Sequence, residues 1–176
     1  MKHTFYHGTT KRKAEKIMKE GFKTDGVKNN WKIKSKKGFV YFSLAYAPFY
    51  AMNNKEGTND LALIKVEIDE KDLYPEDDFL MWCLGKPSYV QKDLDKVDFE
   101  TAKPLWKASL KYMGNVSAKP DKVNILGVRY FNGKNLIMKC DPVICPKNFQ
   151  ILGDYYIRLT ELIFAGKDIM EIKGFG

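Results

Sequence analysis

The chain has 176 residues, of which 44% are hydrophobic, 30% charged and 14% aromatic, and its formal net charge at pH 7 is +8. This length suits one domain with its own core, so we expect a single domain over residues 1–176. No apolar run approaches the roughly 20 residues of a membrane helix. The first residues also lack the apolar stretch of a secretory signal, so we expect a cytoplasmic protein without membrane association.

The cysteines and histidines argue against a structural metal. The chain has three cysteines, Cys83, Cys140 and Cys145, and an odd number cannot be fully paired within one chain. This favours a reducing compartment. Cys140 and Cys145 have the spacing of half a zinc site, but no second pair of ligands completes it, since His3 and His7 are the only histidines. We therefore predict no metal.

The positive charge is concentrated in one segment. Residues 11–37 hold eleven Lys or Arg and three acidic residues, a net charge of +8, whereas residues 38–176 hold 18 basic and 19 acidic residues. Such a segment favours a polyanion or a phosphate-bearing ligand. The alternative is a solvated lysine-rich surface, which the predominance of lysine over arginine favours.

The first elements are a short strand and an amphipathic helix. A strand is predicted over 4–6, followed by a helix that ends at Glu20. Thr9 or Thr10 suits the N-cap of this helix, and Gly21 stands at the position where helices commonly terminate.

Strands are next predicted over 38–43 and 61–68, from their β-branched and aromatic content. A short helix over 46–53 lies between them, with Ser43 available as its cap. The segment 80–113 is predicted to be mainly helical.

The last third is predicted to consist of strands over 123–131, 136–139 and 156–164, with Asn132-Gly133 as a hairpin turn. Short helices near the front followed by antiparallel strands predict an α+β fold.

Common nucleotide-binding and hydrolase motifs are missing, among them the phosphate-binding loop and the serine elbow. The remaining pattern is more specific. A strand ends in Tyr6-His7-Gly8-Thr9, a helix follows with the spacing A-x-x-I-x-x-x-G-F, and a second strand reads Val40-Tyr41-Phe42-Ser43.

In these residues the chain resembles the His-Tyr-Glu branch of the ADP-ribosyltransferase superfamily. The strand over 61–68 extends the resemblance, and Glu161, on the last predicted strand, stands where such proteins carry their final catalytic acid. The resemblance implies a split pair of antiparallel sheets with flanking helices and an NAD cleft between them.

The resemblance also implies the role of each site residue. His7 would bond an NAD ribose hydroxyl, the Gly8 backbone would bond the nicotinamide carboxamide, and Tyr41 would stack on the nicotinamide ring. Glu161 would bind the nicotinamide ribose and face the positive charge that develops at its anomeric carbon. A carboxylate and an aromatic face suit that cationic sugar and the pyridinium ring.

Structural alternatives remain for these residues. His7 and Tyr41 also suit a packed core, and a surface ion pair is the ordinary role of an acid such as Glu161. Glu171 is the other candidate for the catalytic acid. Thr9 and Ser43 are candidate cofactor-binding hydroxyls, although such residues more often cap helices.

The expected function is therefore mono-ADP-ribosyl transfer, with NAD as co-substrate and nicotinamide as leaving group. A nucleic acid or an acidic protein is the expected acceptor, recognised through the lysine-rich segment 11–37. The alternatives are a non-catalytic nucleic-acid-binding module on the same fold, an NAD glycohydrolase, and an RNA 2′-phosphotransferase. The chain has only three arginines, which disfavours the last of these.

Overall fold

The computed structural model describes residues 1–25, 35–54, 56–85, 94–133 and 146–167, with side chains from Gly153 onward in the last range. The strands of these residues are β1 (Lys2–Thr10), β2 (Val40–Ser43), β3 (Leu61–Asp69), β4 (Asn115–Ala118) and β5 (Asn124–Phe131). The helices are α1 (Lys11–Glu20), α2 (Ala47–Met52), α3 (Asp77–Cys83), α4 (Phe99–Ala102), α5 (Trp106–Met113) and α6 (Pro146–Phe164).

Within the described residues, five strands form one sheet in the order β4-β2-β1-β3-β5. β1 pairs along its whole length with β3, from Lys2 opposite Asp69 to Thr10 opposite Leu61. β3 pairs in turn with β5, and all of β2 pairs with β4. Every pairing is antiparallel, and helices cover the sheet, so the α+β expectation is confirmed.

One face of the sheet packs against α1 and α5. Phe5 of β1 and Phe42 of β2 are buried in one cluster with Ala14 of α1 and Trp106 of α5. Phe22, which follows α1, is buried in the same cluster. Because side chains alternate along a strand, the neighbours of these residues belong to the opposite face.

The opposite face packs against α2 and α6. Leu63 of β3 is buried with Ala47 of α2 and with Tyr156, Leu159 and Ile163 of α6. The three α6 residues recur at three- and four-residue spacing, so a single stripe of this helix contacts the sheet.

Both ends of α1 are as predicted. The Thr10 hydroxyl accepts a hydrogen bond from the Lys13 backbone N–H at 3.5 Å, which makes Thr10 the N-cap. Gly21 has a φ of 75°, a backbone conformation that favours glycine, and its N–H donates to the Ile17 carbonyl at 2.8 Å.

Two sequence predictions about the second half are wrong. The predicted strand over 156–164 belongs to helix α6, because its apolar residues pack at helical spacing against the sheet. Strand β4 lies in a segment for which no strand was predicted, since its sequence NVSA has only one β-branched apolar residue. It is stabilised by its pairing with β2 and by a bridge between Ser117 and Tyr74.

The predicted helical segment over 80–113 is divided. It contains the end of α3, then α4 and α5, and residues 86–93 between them lie outside the described residues. The predicted strand over 136–139, and with it the hairpin beyond Asn132-Gly133, also lies outside. Among the described residues, no helix has the length and apolar character needed to span a bilayer.

Candidate functional site

Strand pairing in the sheet is shortest where β1 meets β2. These strands share one registered pair, Tyr6 opposite Ser43, whereas β1 pairs with β3 at every residue. A single registered pair thus joins a β4-β2 part of the sheet to a β1-β3-β5 part. Beyond Tyr6, the edge of β1 that faces β2 has no strand pairing among the described residues.

The His7 side chain bridges these two parts. Its Nδ1 lies 2.9 Å from the carbonyl oxygen of Tyr41. A carbonyl can only accept a hydrogen bond, so Nδ1 carries the proton and Nε2 is left as an acceptor. Within the described part of the chain, Nε2 has no hydrogen-bond partner.

The surroundings of His7 favour the neutral imidazole. Its ring makes edge contacts with Phe22 and Phe42, with ring centroids 5.2 and 5.9 Å away. Burial lowers the pKa of His7 and the Lys13 ammonium lowers it further, while the hydrogen bond to Tyr41 opposes them. The side chain is thus an uncharged acceptor at neutral pH, with a lysine close by.

The Tyr41 hydroxyl is fixed on the opposite side of β2. It donates to Asp77 Oδ1 at 2.6 Å and accepts from the backbone N–H of Lys36 at 3.0 Å. Burial, with the nearby negative charge of Asp77, holds the pKa of Tyr41 above its usual range. Tyr41 therefore bonds His7 through its carbonyl and Asp77 through its hydroxyl.

Two buried carboxyl groups stand at the start of α3. Burial raises the pKa of Asp77 to about 6, although the Tyr41 hydroxyl and the Lys36 N–H both bond its carboxylate. Burial, followed by the charge of Asp78, raises the pKa of Glu76 to about 8. Buried acids with displaced pKa values beside a fixed tyrosine are candidates for functional groups.

Sequence reasoning did not identify Asp77 or Glu76. The signal was the acidic run Glu76-Asp77-Asp78 directly before the apolar segment FLMW, which is the pattern of a helix N-terminus. Glu76 does act as the N-cap, since its Oε1 accepts from the Phe79 backbone N–H at 2.9 Å. The pattern alone does not predict that Asp77 contacts Tyr41.

A polar network continues from these acids to β4 and α2. The Ser109 hydroxyl accepts from the Glu76 N–H at 3.0 Å and donates to the Asn115 carbonyl at 2.8 Å. The Asn115 amide donates to the Tyr50 hydroxyl at 2.6 Å, and Asn115 Oδ1 is buried without a hydrogen-bond partner among the described residues. The interior between α2, α3 and β4 is thus polar.

Gly8 contributes a close contact between strand and helix. A Cβ atom at this position would lie 1.7 Å from the Ala47 carbonyl oxygen and 2.8 Å from the Ala51 nitrogen. Only glycine allows α2 to approach β1 so closely.

The two predicted hydroxyl ligands are buried. Thr9 is buried on β1, and the Ser43 hydroxyl accepts from the Tyr46 N–H at 2.7 Å and donates to the Gly114 carbonyl at 3.0 Å. Ser43 therefore stabilises the turn that leads into α2.

Glu161 lies away from the His7 ring. It is exposed on α6 and lies near Tyr6, whose pKa is raised first by burial and then by the negative charge of Glu161. Tyr6 and α6 occupy the face of the sheet opposite the His7 ring, and the Tyr41 side chain belongs to that same face. Glu171, the other candidate acid, lies outside the described residues.

The basic segment begins beside His7. Arg12 donates to Glu56 at 2.6 Å, and Lys13, 3.8 Å from the same carboxylate, also affects the His7 ring. Lys16 and Lys19 are exposed on α1, while residues 26–34 of the segment lie outside the described residues.

The described residues contain no group of three or more His, Cys, Asp or Glu side chains placed to hold a metal ion, and Cys140 and Cys145 fall outside them. The groups that the described residues bring to the candidate site are a neutral imidazole acceptor, a fixed tyrosine and buried carboxyl groups. Comparison of the chain with protein-family models, with curated proteins and with solved structures found no match.

Proposed function

We propose that this chain transfers ADP-ribose from NAD to a macromolecular acceptor and releases nicotinamide. The observation that carries the proposal is the His7 imidazole, which is neutral, presents Nε2 as an acceptor, and lies where β1 and β2 part. The same residues carry the sequence resemblance. A hydroxyl of the NAD ribose is the natural donor to Nε2.

In this proposal the two-part sheet is the ADP-ribosyltransferase fold. The β4-β2 part corresponds to one of its two sheets and the β1-β3-β5 part to the other. NAD lies at their junction, with the nicotinamide ribose against His7. The Lys13 ammonium and the exposed lysines of α1 supply positive potential for the pyrophosphate.

The reaction needs a carboxylate that faces the cationic ribose. The resemblance assigns this role to Glu161, whereas Asp77 is the acid that contacts Tyr41, on the face of the sheet opposite the His7 ring. Asp77 is also mostly ionised at neutral pH, since its pKa is about 6. If Glu161 supplies the carboxylate, E161Q should lose activity and D77N should retain it. If Asp77 supplies the carboxylate, the results should be reversed.

The test is nicotinamide release from NAD by the wild type, H7A, E161Q and D77N, with calorimetric titration of NAD. We expect H7A to weaken NAD binding about tenfold, because a ribose hydroxyl loses its acceptor. Whichever of E161Q and D77N removes the catalytic carboxylate should lose about 100-fold or more in kcat, with little change in NAD affinity.

His3 provides the matched control for the loss of an imidazole. Its Nε2 lies 3.5 Å from Glu70 on the surface beside Trp106, away from the Tyr41 contacts. H3A should therefore release nicotinamide at the wild-type rate. A wild-type protein that neither binds NAD nor releases nicotinamide contradicts the proposal. So does an H7A variant that binds NAD and releases nicotinamide as the wild type does.

Acceptor labelling distinguishes a transferase from an NAD glycohydrolase. With NAD radiolabelled in the adenylate part, a transferase leaves label on a macromolecule, whereas a hydrolase releases free ADP-ribose. Binding of nucleic acid without any NAD binding would instead favour a non-catalytic basic module, for which the exposed lysines of α1 are the supporting observation.

A further inference from the structure

Two aromatic side chains are exposed side by side on α3 and α5. Trp82 is 59% exposed and Tyr112 is 54% exposed, and their ring centroids lie 6.0 Å apart at an angle of 42°. The buried Phe79 ring supports both, 6.0 Å from Trp82 and 6.4 Å from Tyr112, nearly parallel to the latter. We call Trp82 and Tyr112 the aromatic platform.

A cation accompanies the platform. The Lys111 ammonium lies 5.5 Å from the centroid of the Tyr112 ring, and within the described part of the chain it forms no ion pair. Flat exposed rings next to an unpaired lysine are the elements with which proteins bind single-stranded nucleic acid, since bases stack on the rings and phosphates bind the cation.

The platform and the candidate site share the same two helices. Trp82 follows Asp77 by five residues in α3, about 8 Å along the helix axis. Ser109, three residues before Tyr112 in α5, bonds the backbone of Glu76. The platform is therefore built on the same two helices that position the carboxyl groups at the start of α3.

We propose that the aromatic platform stacks the bases of a single-stranded nucleic acid, and that this strand is the ADP-ribose acceptor. The role of the strand as acceptor rests on the proposed function, whereas the stacking of its bases depends only on the rings and Lys111. Exposed rings with Lys111 beside them favour a nucleic acid over an acidic protein segment, because the bases supply flat rings to stack and the phosphates supply negative charge.

The transfer step conserves atoms and charge. The bond between the anomeric carbon of the ribose and the nicotinamide nitrogen breaks, and its electron pair leaves with neutral nicotinamide. A nitrogen or oxygen of the nucleic acid forms the new bond to the anomeric carbon with its lone pair and loses a proton to solvent.

The test is fluorescence anisotropy of a labelled single-stranded RNA of about twelve nucleotides, titrated with protein at several salt concentrations. The variant W82A/Y112A should bind about tenfold more weakly or worse, because stacking is lost. The slope of log Kd against log salt should not change, since stacking releases no counterions. The variant W82F/Y112F, which retains ring faces, should recover most of the affinity.

Tyr130 is the matched control, because it is also exposed, at 46%, and has the Lys11 ammonium 5.5 Å above its ring on the distant strand β5. Y130A should bind the RNA within about twofold of the wild type. If W82A/Y112A binds as tightly as the wild type, or if Y130A weakens binding as much, the platform is refuted.

The two parts of the inference fail separately. Nicotinamide release without RNA should be the same in W82A/Y112A and in the wild type. If RNA binding depends on the rings but nicotinamide is never released, the proposed function fails and the platform stands. If nicotinamide is released but the bound strand is never labelled with ADP-ribose, the strand is not the acceptor.

Discussion

Tyr41 connects the groups of the candidate site through two different atoms. Its carbonyl holds the proton of His7 on Nδ1, and its hydroxyl donates to Asp77. The side chains of His7 and Tyr41 lie on opposite faces of the sheet, but the backbone of β2 lies between them. A change at Tyr41 thus affects both groups only if it moves the strand itself.

Asp77 should make the stability depend on pH in a defined window. Its folded-state pKa is about 6 and its ordinary value is 3.8, so between these pH values the folded protein binds more protons than the unfolded chain. Stability should therefore fall as the pH rises from about 4 to about 6, by on the order of 3 kcal/mol for this group.

Urea unfolding of the wild type and D77N at several pH values tests this prediction. The difference in free energy of unfolding between the two proteins reports Asp77 together with its effect on Glu76, whose pKa the Asp77 charge helps to raise, while His7 contributes to both proteins. Relative to D77N, the wild type should lose on the order of 3 kcal/mol in free energy of unfolding between pH 4 and pH 7. A difference that stays constant over the window would refute the assigned pKa.

Some residues of the candidate site stand in local sequence patterns and others do not. His7, Gly8 and Tyr41 stand in local patterns, a strand end with His-Gly-Thr and a strand with Val-Tyr-Phe-Ser. Asp77 is 36 positions from Tyr41, and its contact depends on how α3 docks on β2. A single sequence carries no local signal for such a contact.

At the scale of elements, the ends of α1 could be predicted from the residues next to them. The Thr10 cap and the Gly21 terminus fix α1 independently of the rest of the chain. The segment 156–164 contains β-branched and aromatic residues that suit a strand equally well. Its helical form follows from packing against Leu63 and Ala47, which local composition does not reveal.

The contact between β1 and α2 should be the least tolerant position in the sheet. G8A places a methyl group against the Ala47 carbonyl at a distance that requires the helix to move, so we expect a loss of about 3 kcal/mol or more in the free energy of unfolding. Urea unfolding of purified protein measures this loss.

Gly127 is the matched control on β5, because a Cβ there has no heavy atom within 4 Å. G127A should change the free energy of unfolding by less than about 1 kcal/mol. Equal losses in G8A and G127A would mean that strand glycines matter for a reason other than the α2 contact.

At the scale of the whole molecule, the two-part sheet brings together features that are distant in sequence. α1 and α5 cover one face, and α2 and α6 cover the other. The basic helix α1 starts at the end of β1 beside His7, while α3 and α5 extend from the Asp77 end of the site to the aromatic platform. In the account proposed above, NAD binds at the first of these regions and the acceptor at the second.

The most direct test of this account is the protonation state of His7 with and without NAD. The chain has two histidines, His3 and His7, so their imidazole nitrogen-15 resonances can be assigned with H3A alone. At about pH 7 we predict a neutral His7 with its proton on Nδ1, and a shift of the His7 Nε2 resonance on addition of NAD that His3 does not share. A doubly protonated His7, or an Nε2 resonance that saturating NAD leaves unchanged, would contradict the account.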